Sequence, residues 1–317
     1  MDETTAGDNK TGEGTVASSG AKTAAQCSVI TVYKAKIGGA LRTVTVVWSK
    51  TLINHSLSVS VDHPPGGEAP STCRVDLKPW PFWGKKGFKS LETGDHRVDL
   101  FWDLRSAKFP AGGGPEPICG YYVALVSGEE VVLLVGDFKK EAYKRTRARP
   151  SLDDAAMVSK RDNVLGKKCF STRARFDGRG KREHEIVVEN SISGGCDGDA
   201  EMWISIDGVV AIHVSNLQWK FRGNETVMVE SSPVQVFWDV HDWLFGGAAM
   251  GHALFIFKPG AATATATADQ GGEEEWSGDD MGCLIENGSG RDMGSARRNS
   301  GGGAPEFCFM LCAWKVE

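Results

Sequence analysis

The strongest constraint on this chain is an internal repeat. The segment Trp83 to Phe109 recurs without gaps, 136 residues further on, as Trp219 to Phe245. The register matches Trp83 to Trp219, Gly87 to Gly223, Val98 to Val234 and Phe109 to Phe245. It also matches the whole triplet Phe101-Trp102-Asp103 to Phe237-Trp238-Asp239, with Leu91/Val227, Leu100/Val236 and Leu104/Val240 as conservative partners. A register that holds at several positions, tryptophans included, reads as duplication. Upstream, Ser60-Val61-Asp62 resembles Ser205-Ile206-Asp207, and downstream Tyr121 to Val126 sits where Gly251 to Phe257 does.

The repeated unit is made of strands. Leu57, Val59 and Val61 alternate with Ser58, Ser60 and Asp62, and Val98, Leu100 and Trp102 alternate with Asp99, Phe101 and Asp103. Period-two alternation puts each set on one face of a half-buried strand. Phe170, Thr172, Ala174 and Phe176 alternate with Ser171, Arg173 and Arg175, a strand with a basic outer face. Asp207-Gly208 between β-rich runs predicts a tight hairpin, and Ser127-Gly128 predicts a second. The run Glu130 to Val135 is apolar and β-branched and reads as a central strand. Short helices are expected only over Asp137 to Arg147 and Leu152 to Lys160.

The expected fold is therefore all-β: an antiparallel β-sandwich or barrel built from two repeated strand units, each covering the other's apolar face. The domain spans 27–259 plus 305–317, with repeat halves at about 27–150 and 165–259. Residues 1–26 and 260–304 are poor in large apolar side chains and read as a disordered N-terminus and a disordered insertion between two strands. A loop can grow this long because closure entropy rises only logarithmically.

Composition excludes several classes. No run approaches the roughly 20 apolar residues that span a bilayer, and residues 1–26 lack the apolar stretch of a secretory signal. The eight cysteines form no CxxC pair and no zinc-spaced cluster. These features predict a protein of the cytoplasm, the nucleus or both, not secreted, without structural disulfides, metal or cofactor. The formal net charge of −5 predicts solubility and no particular partner.

Longer runs carry a resemblance. DLKPWPFWGKKG (Asp76 to Gly87), VDLFWDLRSAKF (Val98 to Phe109), EEVVLLVGDFKKEAYKRT (Glu129 to Thr146), VQVFWDVHDWLF (Val234 to Phe245) and GHALFIFKP (Gly251 to Pro259) resemble the plant-specific family known as domain of unknown function 868. The resemblance covers nearly all of Cys27 to Pro259 plus the closing AWKVE. It implies a plant protein and brings no catalytic residues with it.

Four groups of residues invite a functional reading. Trp80, among prolines and followed by Lys85 and Lys86, suits stacking on a sugar or base; the competing reading is core packing, which the match of neighbouring Trp83 to Trp219 favours for Trp83. His241-Asp242 is the most reactive-looking pair, although on an extended strand the two side chains would point to opposite faces. Fifteen Lys and Arg residues crowd Lys139 to Arg182, among them Lys144, Arg145, Arg147, Lys167, Lys168, Arg173 and Arg175, a candidate face for a polyanion or a protein. Arg297-Arg298-Asn299-Ser300 has the spacing that basophilic kinases read, with Ser300 as acceptor. No GxSxG elbow, HExxH or P-loop is present. The expectation is a non-enzymatic binding or scaffolding module that uses the basic strand face and flexible loops. The alternatives are a barrel binding a small ligand or glycan, and an enzyme centred on His241 and Asp242.

Overall fold

Turn chemistry sets the strand pairs. Asp207 (φ 51°) and Gly208 (φ 79°) both adopt left-handed backbone, as a two-residue turn between right-twisted strands requires. They join Glu201–Ile206 to Val209–Val214. The second expected hairpin also forms, one residue later, with Gly128 and Glu129 at its tip and Ser127 paired to Glu130. The computed structural model describes residues 27–315 except 53, 64–68, 78–83, 95, 112, 167, 177–181, 192–199, 247–250 and 261–306. Trp80, Lys167, Ser300 and the two segments expected to be disordered lie outside the described residues, apart from Gly260.

The first copy opens with β1 (Cys27–Ile37), β2 (Ala40–Lys50), β3 (His55–Val61) and β4 (Ser71–Leu77). It continues with β5 (Lys86–Thr93), β6 (His96–Asp103), β7 (Tyr122–Ser127) and β8 (Glu130–Gly136). Helix α1 (Lys139–Thr146), the two-residue β9 (Arg149–Pro150) and β10 (Ala156–Gly166) connect the copies. The second copy repeats the scheme with β11 (Cys169–Ala174), β12 (His184–Ser191), β13 (Glu201–Ile206) and β14 (Val209–Val214). There follow β15 (Arg222–Val229), β16 (Ser232–Asp239), the helical turn α2 (His241–Phe245), β17 (His252–Pro259) and β18 (Cys308–Lys315). Strands β5 and β15, and β6 and β16, begin and end at matching repeat positions.

The described strands form three open sheets. One has nine strands in the order β15-β16-β17-β18-β10-β1-β2-β3-β4; the others are β11-β12-β13-β14 and β5-β6-β7-β8-β9. None closes on itself, so the architecture is a sandwich and the barrel alternative falls. The two copies exchange sheets: the first copy gives its leading four strands to the large sheet, the second copy its last four. Strand β10 completes that sheet, antiparallel to β1 and parallel to β18. The expected helix from Leu152 to Lys160 is therefore wrong over most of its length. Its backbone groups are taken up by two neighbouring strands, a tertiary demand that overrides weak local helix preference. Strand β8 is not central either. Only two-residue β9 lies beyond it, and its run from Val131 to Val135 is apolar because β1 lies under one face and α1 packs against the other.

Two cores result. Val46, Trp48, Leu57 and Val59 pack against Leu100, Val123 and Leu125 in the first; Ile186, Ile204 and Ile212 pack against Val236, Phe257 and Phe309 in the second. Val29 faces the first core and Leu311 the second, and both lie beside Asp162 in register. Both small sheets therefore cover the same face of the nine-stranded sheet.

The Phe-Trp-Asp triplets turn out to be fold elements. The Trp102 indole N–H donates to the Gly84 carbonyl (2.8 Å) and the Trp238 indole to the Lys220 carbonyl (3.1 Å), equivalent positions of the repeat. Each indole lies flat on a glycine: an added Cβ would sit 2.6 Å from the Trp102 ring at Gly87 and 2.3 Å from the Trp238 ring at Gly223. Gly223→Ala is accordingly expected to lower stability by about 1–3 kcal/mol through overpacking, read as a lower urea midpoint. An unchanged midpoint would show that the indole shifts freely.

Candidate ligand-binding site

Asp239 ends the repeated triplet of the second copy. Its carboxylate accepts the Arg222 Nε–H (2.8 Å) and the backbone N–H of His241 (3.0 Å), which turns the chain out of the strand. In the first copy Asp103 does the same work with Lys86 (3.3 Å) and Arg105. Lys86 is thus the structural counterpart of Arg222, and Lys85 lends its backbone carbonyl to Leu104. Neither needs a ligand to account for it.

The copies diverge after that aspartate. Where the first has Arg105 and Ser106, the second has His241 and Asp242 on α2. The helical turn overturns the strand geometry that would separate these side chains. His241 Nδ1 donates to Asp242 Oδ1 at 3.0 Å. The other carboxylate oxygen meets a second imidazole, His252 Nδ1 at 3.5 Å. The hydrogen bond from His241 holds the Asp242 carboxyl below the usual carboxylate range, so the group is an anion between two rings.

Aromatic side chains extend the cluster on both sides. His252 pairs across β17 and β18 with Trp314 and stacks on it, centroids 5.1 Å apart. Phe221 and Phe245 lie 5.2 Å from His241, and the Arg222 guanidinium sits 5.5 Å over Phe221. Trp243, on the inner side of the turn, is buried edge-on against Phe170 and anchors α2 to the core. The outward rings are open to solvent, Phe245 at 56% and Trp314 at 41%. Trp219, just before β15, stands 82% exposed, which removes the argument from the repeat that its partner Trp83 packs in the core.

The other sequence candidates do not assemble into one surface. Lys144 lies on α1 and Arg147 caps its C-terminal end, over the five-stranded sheet. Arg145 lies on the same helix near Tyr122. Lys168, Arg173 and Arg175 belong to β11 and its flanks, an edge of the four-stranded sheet. There Arg173 sits opposite Glu185 in register and Arg175 bonds Glu183 at 3.0 Å, so acidic neighbours offset the basic face. An open groove of about 390 Å³ beside Arg147 and Arg149 is lined also by Asp99 and Glu129, leaving it mixed in charge.

A family model matches residues 24–315. The chain belongs to DUF868, a plant protein family of unknown function. No curated protein and no solved structure matches it. In the DUF868 chain, no helix among the described residues is long and apolar enough to cross a membrane. The described cysteines are free, and no group of three metal-binding side chains is gathered among the described residues.

Sequence reasoning found His241 and Asp242 and missed His252, Trp314 and Phe221. His252 and Trp314 lie on strands separated by the 261–306 segment, and nothing local marks them as neighbours. Phe221 carried one signal: it directly precedes Arg222, the counterpart of Lys86.

Proposed function

We propose that this DUF868 protein is a non-enzymatic binding module whose ligand face is the cluster around Asp242, and that its ligand is a glycan. The observation that carries the reading is the row of exposed rings flanking an ionised carboxylate. The C–H face of a pyranose stacks on aromatic rings such as Trp314 and Phe245. Its hydroxyls can donate to Asp242 and to the remaining ring nitrogen of His241. The same carboxylate–imidazole pair argues less well for catalysis. It lies on an open surface, whereas acid–base chemistry gains from a site that excludes water. The basic residues are spread over two sheets and partly paired, which gives a polyanion no single strip to follow.

Calorimetric titration of the full chain with a panel of soluble neutral oligosaccharides tests this. Trp314→Ala and Asp242→Asn should each weaken binding about tenfold, the equivalent of one stacked ring or one good polar contact. Arg173→Glu should leave it unchanged. Binding of polyanions only, lost in high salt and in Arg173→Glu, would move the site to β11. Turnover of the sugar that disappears in His241→Ala would make the protein an enzyme.

A further inference from the structure

The seam between the two copies carries charged groups where the neighbouring inward strand faces are mostly apolar. Strand β10 presents Lys160 and Asp162 to the inner side of the nine-stranded sheet, in register with Thr31 and Val29 of β1. Around them stand groups from both copies. Glu116, on the connection between β6 and β7, pairs with Lys160 at 2.9 Å. Thr172 of β11 donates its hydroxyl to Asp162 Oδ2. The electrostatic surroundings include Tyr33 of β1 and Tyr121 from the first copy, and Arg175 and Glu183 from the second, these last paired with each other. Cys312 of β18 also lies within electrostatic reach of Asp162. Asp162 is buried, and its Oδ1 has no hydrogen-bond partner among the described residues.

The charge balance in this seam is decided by one proton. Lys160 and Glu116 neutralise each other, as do Arg175 and Glu183. A neutral Asp162 leaves the seam balanced, and an ionised one adds a buried negative charge next to Glu116. We propose that Asp162 is a protonation-controlled latch between the two repeat copies, closed when its carboxyl is neutral and loosened when it ionises. Burial pushes this carboxyl up to about 6, with Glu116 adding to the rise and Lys160 and Thr172 opposing it. The folded chain then holds a proton that the unfolded chain, at 3.8, has already released. The latch contribution is therefore full below about pH 4 and lost as pH rises to about 6 and beyond. This inference does not rest on the glycan site, whose His252 and Trp314 face away from the second core while Asp162 shares the inner face with Leu311.

Hydrogen exchange of the full chain, followed by mass spectrometry and corrected for the intrinsic pH dependence, reads the latch directly. From pH 5 to pH 7.5, protection of β10 and β11 should fall about tenfold while β2 and β3 change little. In Asp162→Asn the fall should vanish. In Glu116→Gln, which removes the neighbouring anion, it should move to lower pH; this variant carries the test if Asp162→Asn does not fold. Protection independent of pH in the wild type, an unaltered step in whichever variants fold, or an equal step in β2 and β3 would overturn the proposal.

Discussion

Trp48→Ala should lower the stability of the first copy by about 3–5 kcal/mol, the range for emptying a large aromatic site in a packed core. Trp48 is fully buried near the C-terminal end of β2. It is flanked in register by Val29 and Leu57 and lies edge-on to Tyr121, centroids 5.6 Å apart. The indole bridges the two layers, so its loss leaves a cavity that rigid strands on both sides cannot close. Urea unfolding should show a lower midpoint with an unchanged slope. If the copies unfold in separate steps, the first should move and the second should not. A cost below about 1 kcal/mol would mean that the layers collapse onto the space, and that the first core is less tightly packed than its burial implies.

Lys160→Met should cost about 3 kcal/mol, the low end for breaking a buried ion pair. The Lys160 and Glu116 side chains are only 18% and 27% exposed, so water can do little for a partner left alone. Burial works against the ammonium, but Glu116 and Asp162 more than offset it and its pKa is raised. Removing the cation strands the Glu116 carboxylate in the seam between the copies. The double variant Lys160→Met with Glu116→Leu should recover most of the loss, because it removes the unpaired charge along with its partner. Thermal unfolding of the two variants side by side decides the matter. Equal losses in both would show that packing of the lysine stem, not its charge, holds the seam.

The sheet-rich class and the two-copy plan were legible because both are written in short-range pattern. Alternation at period two marks Val98, Leu100 and Trp102 as an inward set, and the matched triplets give the duplication. Asp207-Gly208 gives its hairpin because both residues accept left-handed backbone. Segment 152–160 was misread because its side chains fit a helix as well as a strand, and only the open slot between β1 and β18 chooses. His241 and Asp242 were legible as a pair of reactive types. Their contact was not, since it depends on a helical turn that Asp239 starts and Trp243 anchors.

The sequence by itself determined the local quantities: which residues are strands, which face of each strand is apolar, where tight turns fall, and that one unit occurs twice. The tertiary structure alone decided how the copies share a sheet, which brings Asp162 under Thr172 and His252 beside Asp242. Both pairings join residues ten apart, Asp162 and Thr172 on strands of different sheets and Asp242 and His252 across α2 and β17. Periodicity is a property of one strand and its solvent, whereas such contacts depend on which strands become neighbours, and that is settled by burying two cores at once.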